Sequence, residues 1–140
     1  MDRGFFFALL AALVWGFAPA LEKTGLGGRI DPFMGVVVRS VPIAVFGVAG
    51  LVLMGRLGSI ATLDVRSALY VAAGGLVAGL VGQLAFYFAL KAGEASVVVP
   101  VAATYPLVAL LVSVAFLGEA FTPQKFLGIL FVVAGVMLIR

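Results

Sequence analysis

The sequence predicts an all-α integral membrane protein of five transmembrane helices. Three observations carry this. Of 140 residues, 64% are apolar and only 11% are charged, against about 25% charged in a typical soluble domain. The mean hydropathy is +1.29. The apolar residues also fall into five uninterrupted runs, each near the ~20 residues that cross a hydrocarbon core of about 30 Å. A soluble chain this small needs a polar surface that so few charges cannot provide.

The first run is placed at residues 4–21. It follows Asp2-Arg3 and holds Trp15 and Pro19. The charged start, the apolar run and Ala18-Pro19-Ala20 also have the look of a cleaved signal peptide. The length of the run and the further spans behind it make a retained helix the simpler account. The second run is placed at 32–54, after a glycine-rich connection that ends in Asp31. The third, 68–90, follows the polar stretch 55–67. The fourth, 95–117, comes after the short Lys91-Ala92-Gly93-Glu94 link, which predicts a tight antiparallel hairpin. The fifth, 123–139, is the shortest; Lys125 in its first turn can snorkel to the interface. Barrel strands would alternate polar and apolar over about ten residues, which these runs do not. The whole chain, 1–140, reads as one transmembrane domain with no soluble module.

The net charge of +3 is spread singly between apolar runs, so it is no nucleic-acid footprint. There is no cysteine and no histidine. No metal constellation and no nucleophile–base pair stands out, so neither a cofactor nor an enzymatic activity is expected.

Lysines and arginines outside the spans set orientation. With five helices, Arg3, Arg56, Arg66 and Lys125 fall on one side. Lys23, Arg29, Lys91 and Arg140 fall on the other. The even split predicts dual topology, in which two oppositely inserted copies pair as an antiparallel homodimer of ten helices. Such a pair has the inverted symmetry found inside many transporters.

The second half of the chain reads Gln83-Leu-Ala-Phe-Tyr87-Phe-Ala-Leu-Lys91, Glu94-Ala-Ser96, Pro100, Pro106, Phe116-Leu-Gly118-Glu119 and a last helix with Gly128 and Gly135. The first half has Trp15-Gly16, Lys23 and Arg39. This ordered set resembles the EamA-like domain of the drug/metabolite transporter superfamily, in its small single-domain, five-span bacterial and archaeal form. The resemblance implies a secondary transporter, an exporter or exchanger of small metabolites or drugs, in the prokaryotic cytoplasmic (inner) membrane. Most members carry two such domains. The other readings are a non-transporting membrane subunit that pairs with a homologous five-span partner, and one half of a ten-span protein.

The candidate site residues follow from polarity inside apolar runs. Arg39 lies seven residues past Pro32, roughly 10 Å into the core. An intramembrane arginine costs several kcal/mol unless it is paired, snorkels or faces water. It reads either as a cavity-lining cation for an anionic or carboxylate-bearing substrate, or as a structural pair with Glu22, Asp31 or Glu119. Gly75, Gly79, Gln83 and Tyr87 recur at spacing four. The glycines suit close helix packing, and Gln83 and Tyr87 suit substrate hydrogen bonding or packing. Ser96, Pro100 and Thr104 recur at the same spacing, with Tyr105 and Pro106 beside them.

Pro19, Pro100 and Pro106 are candidate kink or gating positions, since proline frees an earlier carbonyl. Trp15 reads as cavity wall or packing. The candidate substrate-binding residues are therefore Trp15, Arg39, Gln83, Tyr87, Thr104 and Tyr105. Glu22, Lys23 and Glu119 have structural or coupling roles; Glu119 at a helix C-terminus opposes the macrodipole and is expected to have a basic partner. Gly128 and Gly135 suit helix packing or the dimer contact. No span holds an internal acid, so proton coupling would fall to the edge acids Glu22, Glu94 and Glu119, and uniport or exchange is the other outcome.

Overall fold

A computed structural model of the chain describes residues 3–139. Asp2 of the signal-like segment and Arg140 of the charge count lie outside the described residues. The described residues are helical with short connections and no strand. They divide into two compact units, Met1–Lys91 and Ala92–Arg140.

In the first unit, α1 (Arg3–Leu26) runs straight through Pro19 and ends before a turn at residues 27–31. It is five residues longer at its C-terminal end than the sequence predicts, so Glu22 and Lys23 sit in the helix and not in the loop. Gly25 does not stop it; the stop comes at Gly27-Gly28. Helix α2 (Pro32–Leu53) starts where expected, because Asp31 accepts the Met34 N–H at 3.0 Å and Pro32 occupies the first turn. A short 3₁₀ segment (Leu57–Thr62) leads to α3 (Val65–Gly75). The next stretch, Leu76–Gly82, is π-helical, and α4 (Gln83–Ala92) follows without a break. Together Val65–Ala92 is a 28-residue apolar helix.

A π segment interrupts the α-helical spacing of the third span. A π stretch closes i→i+5 hydrogen bonds and turns less per residue than an α-helix. It therefore changes the rotation of α4 relative to α3 from that of a continuous α-helix. A side chain added at Gly75 or Gly79 meets nothing within 4 Å, so these glycines make no close packing contact among the described residues. Gly82 is tighter: a Cβ there lies 3.3 Å from the Val77 carbonyl oxygen, five residues back along the π turn.

The start of α3 is fixed by Asp64, whose carboxylate accepts the Ser67 N–H at 2.8 Å. The Ser67 hydroxyl first, and then its backbone N–H, hold the Asp64 carboxyl below the usual carboxylate range. A depressed folded value means that the stabilisation is present above the unfolded value and is lost as pH falls through the folded one. Asp64→Asn, which caps without titrating, should thus make the amides of Ser67 and Ala68 insensitive to acid. In the parent chain their hydrogen exchange should accelerate as Asp64 protonates. Equal acid sensitivity in both proteins would remove the cap from the account.

The second unit holds α5 (Ala95–Ala102), α6 (Tyr105–Leu117) and α7 (Pro123–Met137). The predicted fourth span is apolar over Ala95–Leu117, but it is interrupted at residues 103–104. Pro106 has no N–H to give the Ala102 carbonyl, so the ladder restarts there. Pro106 is consequently a first-turn residue of α6, while Pro100 lies inside α5. Gly118 takes φ 67°, a left-handed conformation that favours glycine, and the Glu119 N–H closes the helix on the Ser113 carbonyl at 3.2 Å. Thr122 accepts the Lys125 N–H at 3.3 Å and Pro123 opens α7, as the sequence predicts. At 15 residues α7 is about 22 Å long, short of the other four apolar helices. It packs on α6.

The four long helices bury almost none of their apolar length. Leu53 is 88% exposed, and phenylalanines, valines and leucines are exposed along every helix. Apolar surface on this scale belongs in lipid or against another apolar partner. The fold is that of a membrane protein. In the first unit the packed core sits at one end: Pro19, Leu26, Pro32, Gly35, Val36, Tyr87 and Leu90 are buried there.

Candidate functional site

That buried end is where α1 finishes, α2 begins and α4 finishes. Two lysines tie it together. Lys23 donates to the Leu90 carbonyl, near the C-terminus of α4 where carbonyls lack helical partners. Lys91 donates to the Ile30 carbonyl at 3.0 Å and so anchors the turn between α1 and α2.

The close approach of the three helices depends on Gly35. A Cβ there would stand 2.9 Å from Leu26 Cδ2 and 2.9 Å from Tyr87 Cε2. The absence of a side chain lets the Tyr87 ring lie on the α2 backbone. This is a small-residue contact of the kind that holds membrane helices. It was not among the glycines singled out in the sequence, because it belongs to no regular glycine series.

Beside that contact the polar residues converge. Arg39 Nε lies 3.6 Å from Glu22 Oε1. Gln83 Nε2 donates to both Glu22 oxygens, at 3.3 and 3.4 Å. Tyr87 is buried, and its hydroxyl faces Glu22 and Gln83. Glu22 is thus the hub, with one cation and two neutral polar groups around it. Because α1 extends to Leu26, Glu22 sits on the last turns of a helix rather than in a loop, opposite Arg39. An ion pair reduces the cost of both charges in an apolar setting. Of the three acids considered for Arg39, Asp31 is occupied as the α2 cap, and Glu22 is the partner.

A pocket of about 240 Å³ opens next to the pair. It is lined by Leu21, Glu22, Gly25, Leu26, Ile30, Gly35, Val38, Arg39 and Tyr87. Pro42, one turn beyond, cannot donate to the Val38 carbonyl, which loosens the α2 ladder at the pocket wall. Among the described residues no group of His, Cys, Asp and Glu could hold a metal ion.

The structure therefore gathers Arg39, Gln83, Tyr87 and Glu22 into one place. Trp15 is not there: it is 66% exposed on α1 and outside the pocket lining. Thr104 and Tyr105 belong to the second unit. The Thr104 hydroxyl donates to the Val101 carbonyl at 2.8 Å across the α5–α6 break, and Tyr105 is exposed. Gly128 and Gly135 of α7 have nothing within 4 Å of an added Cβ. Glu119 has no side-chain partner among the described residues. Lys125, the nearest basic residue in sequence, donates to the Ala120 carbonyl at 3.2 Å.

Comparison with known proteins is consistent across the length of the chain. A family model described as the EamA-like transporter family matches residues 2–140. An uncharacterized protein of Methanocaldococcus jannaschii is 27% identical over 139 residues, covering 99% of this chain and 97% of that protein. A protein of Sinorhizobium sp, described as an uncharacterized transporter in the cobO 3′ region, is 29% identical over 134 residues. That match covers 96% of this chain and 94% of the relative. No solved structure matches.

Proposed function

The chain belongs to the EamA-like transporter family, and from that premise we propose that it moves a small molecule across the prokaryotic cytoplasmic membrane, with the Glu22–Arg39–Gln83–Tyr87 cluster as its substrate site. The observation that carries this is the cluster itself. Four polar side chains meet beside a pocket at one end of a unit whose long helices are largely apolar. Polar groups at membrane depth are costly, and they mark substrate and ion pathways.

The working unit in this proposal is an antiparallel homodimer that alternates access by rocking two oppositely inserted copies. The even charge split supports it. So do the open glycines Gly75, Gly79, Gly128 and Gly135, which leave room for helices of a second copy. Breaks within the spans supply the compliance such rocking needs: the π segment in the third and the Pro106 break in the fourth.

Two measurements test this. A C-terminal reporter should be found on both sides of the membrane, and a reporter on one side only overturns the dual topology. Purified protein in liposomes should move at least one member of a broad metabolite panel. Tyr87→Phe and Gln83→Ala should slow that movement by tenfold or more without loss of folded protein. Undiminished transport in both variants would move the site elsewhere.

A further inference from the structure

We propose that the pocket takes a small organic monoanion, a carboxylate on an apolar body, and that this carboxylate displaces Glu22 from Arg39. The inference rests on the transporter reading above and adds the substrate class.

It starts from the unused donors of Arg39. A guanidinium carries five N–H donors in a planar fork. Here its closest charge partner is 3.6 Å from Nε, beyond the about 2.7–2.9 Å of a charge-assisted hydrogen bond. Among the described residues it donates no hydrogen bond to anything else. Its side chain is 34% exposed and lines the pocket, while Glu22 is 15% exposed. An arginine so placed has an unfilled demand for a bidentate oxyanion.

Glu22 is in the opposite state. Gln83 already donates to both of its oxygens, and the Tyr87 hydroxyl faces it. Lys23, its neighbour on α1, points to the Leu90 carbonyl. Glu22 can therefore turn away from Arg39 and keep partners on α4. The Arg39–Glu22 contact is the weak link of the cluster, and a carboxylate that fills the fork replaces it with two stronger bonds.

The walls define the rest of the ligand. Leu21, Leu26, Ile30 and Val38 are apolar, and Arg39 is the one cation among the lining residues. One negative group is matched; a second would sit unpaired against Glu22. The volume of about 240 Å³ is below the ~300–1,000 Å³ of sites for drug-sized molecules, so the body is short.

The test uses the full chain in nanodiscs of zwitterionic lipid near pH 7, where a carboxylate is ionised. Hexanoate, hexanol, hexylamine and hexyl phosphate are titrated by calorimetry and by thermal shift. Hexanoate should bind saturably, and the other three at least tenfold more weakly. Arg39→Lys, which keeps the charge but removes the fork, should weaken hexanoate tenfold or more with little change in the unliganded melting temperature. Glu22→Gln removes the competitor and should tighten hexanoate at least threefold, although the free protein melts earlier.

Tighter binding of hexylamine or hexyl phosphate than hexanoate overturns the monoanion assignment. Weaker hexanoate binding in Glu22→Gln overturns the displacement. No hexanoate binding overturns the proposal, yet transport of an uncharged metabolite that Tyr87→Phe slows would leave the transporter reading intact. Saturable hexanoate binding with no transport of any anion would instead sustain the site and remove the transporter reading.

Discussion

Gly35→Leu is expected to prevent the first unit from forming its packed end. The new side chain must occupy space already held by Leu26 and Tyr87, each 2.9 Å from a bare Cβ. Both neighbours are buried, Leu26 at 4% and Tyr87 at 3% exposure, and cannot swing into open space. Overpacking of this kind costs about 1–3 kcal/mol and at times more, and a leucine on the backbone contact of three helices belongs at the upper end. Gly35→Ala should lose less, about 1 kcal/mol, because alanine regains up to about 1 kcal/mol of helix propensity. Gly47 on the same helix has nothing within 4 Å, so Gly47→Ala should be neutral or stabilising. Thermal unfolding in detergent, with the fraction of monodisperse protein, reads all three. Equal melting of the Gly35→Leu and Gly47→Ala proteins would show that the close approach is not what holds the helices. Because Tyr87 also lines the pocket, ligand binding should fall together with stability in Gly35→Leu.

The second large effect concerns the ion pair. Glu22→Gln leaves Arg39 without a counter-charge, and Arg39→Gln leaves Glu22 likewise. Removing one partner of a fully buried pair costs about 3–5 kcal/mol. Arg39 is one-third exposed, so solvent screening reduces the expected cost to about 1–2 kcal/mol for each single variant. The double variant should be more stable than the sum of the singles implies, by about 1 kcal/mol, since two amides in contact carry no stranded charge. Denaturant or thermal unfolding of the four proteins closes the cycle. Strict additivity would mean that the 3.6 Å contact carries no energy. The Arg39→Gln protein should also lose transport by more than tenfold, and Arg39→Lys should fold normally with the same loss. A transport-competent Arg39→Lys would reduce Arg39 to a point charge.

These two results bear on how much of the site could be read from residues alone. Arg39, Gln83 and Tyr87 were legible because each is a polar group in an apolar run, and lipid offers such groups no partner. Trp15, Thr104 and Tyr105 follow from the same rule; Trp15 lies outside the pocket lining, and Thr104 and Tyr105 belong to the second unit. Polarity shows that a residue needs company but not which company. The sequence places Glu22 in the glycine-rich connection after a first span at 4–21. In the structure α1 continues one more turn, as single glycines in a membrane helix permit. Gly35 had no sequence signal of its own. A close approach is a property of two surfaces, and one glycine among eighteen does not reveal it. The regular series Gly75, Gly79 meets nothing among the described residues.

What the sequence determined by itself is the set of membrane helices and most of their starts. Hydrocarbon thickness and the need to satisfy every backbone group act on a single segment, so segment length and composition suffice. The caps at Asp31-Pro32 and Thr122-Pro123 are equally local, spanning three or four residues. Only the tertiary structure decided which helix faces meet. It placed Glu22 against Arg39 across 17 positions of sequence, and Gln83 and Tyr87 beside Glu22 from more than 60 positions away. That decision depends on how far α1 extends, on a missing side chain at Gly35 and on the rotation that a π turn imposes on α4. None of the three is a property of one helix taken alone.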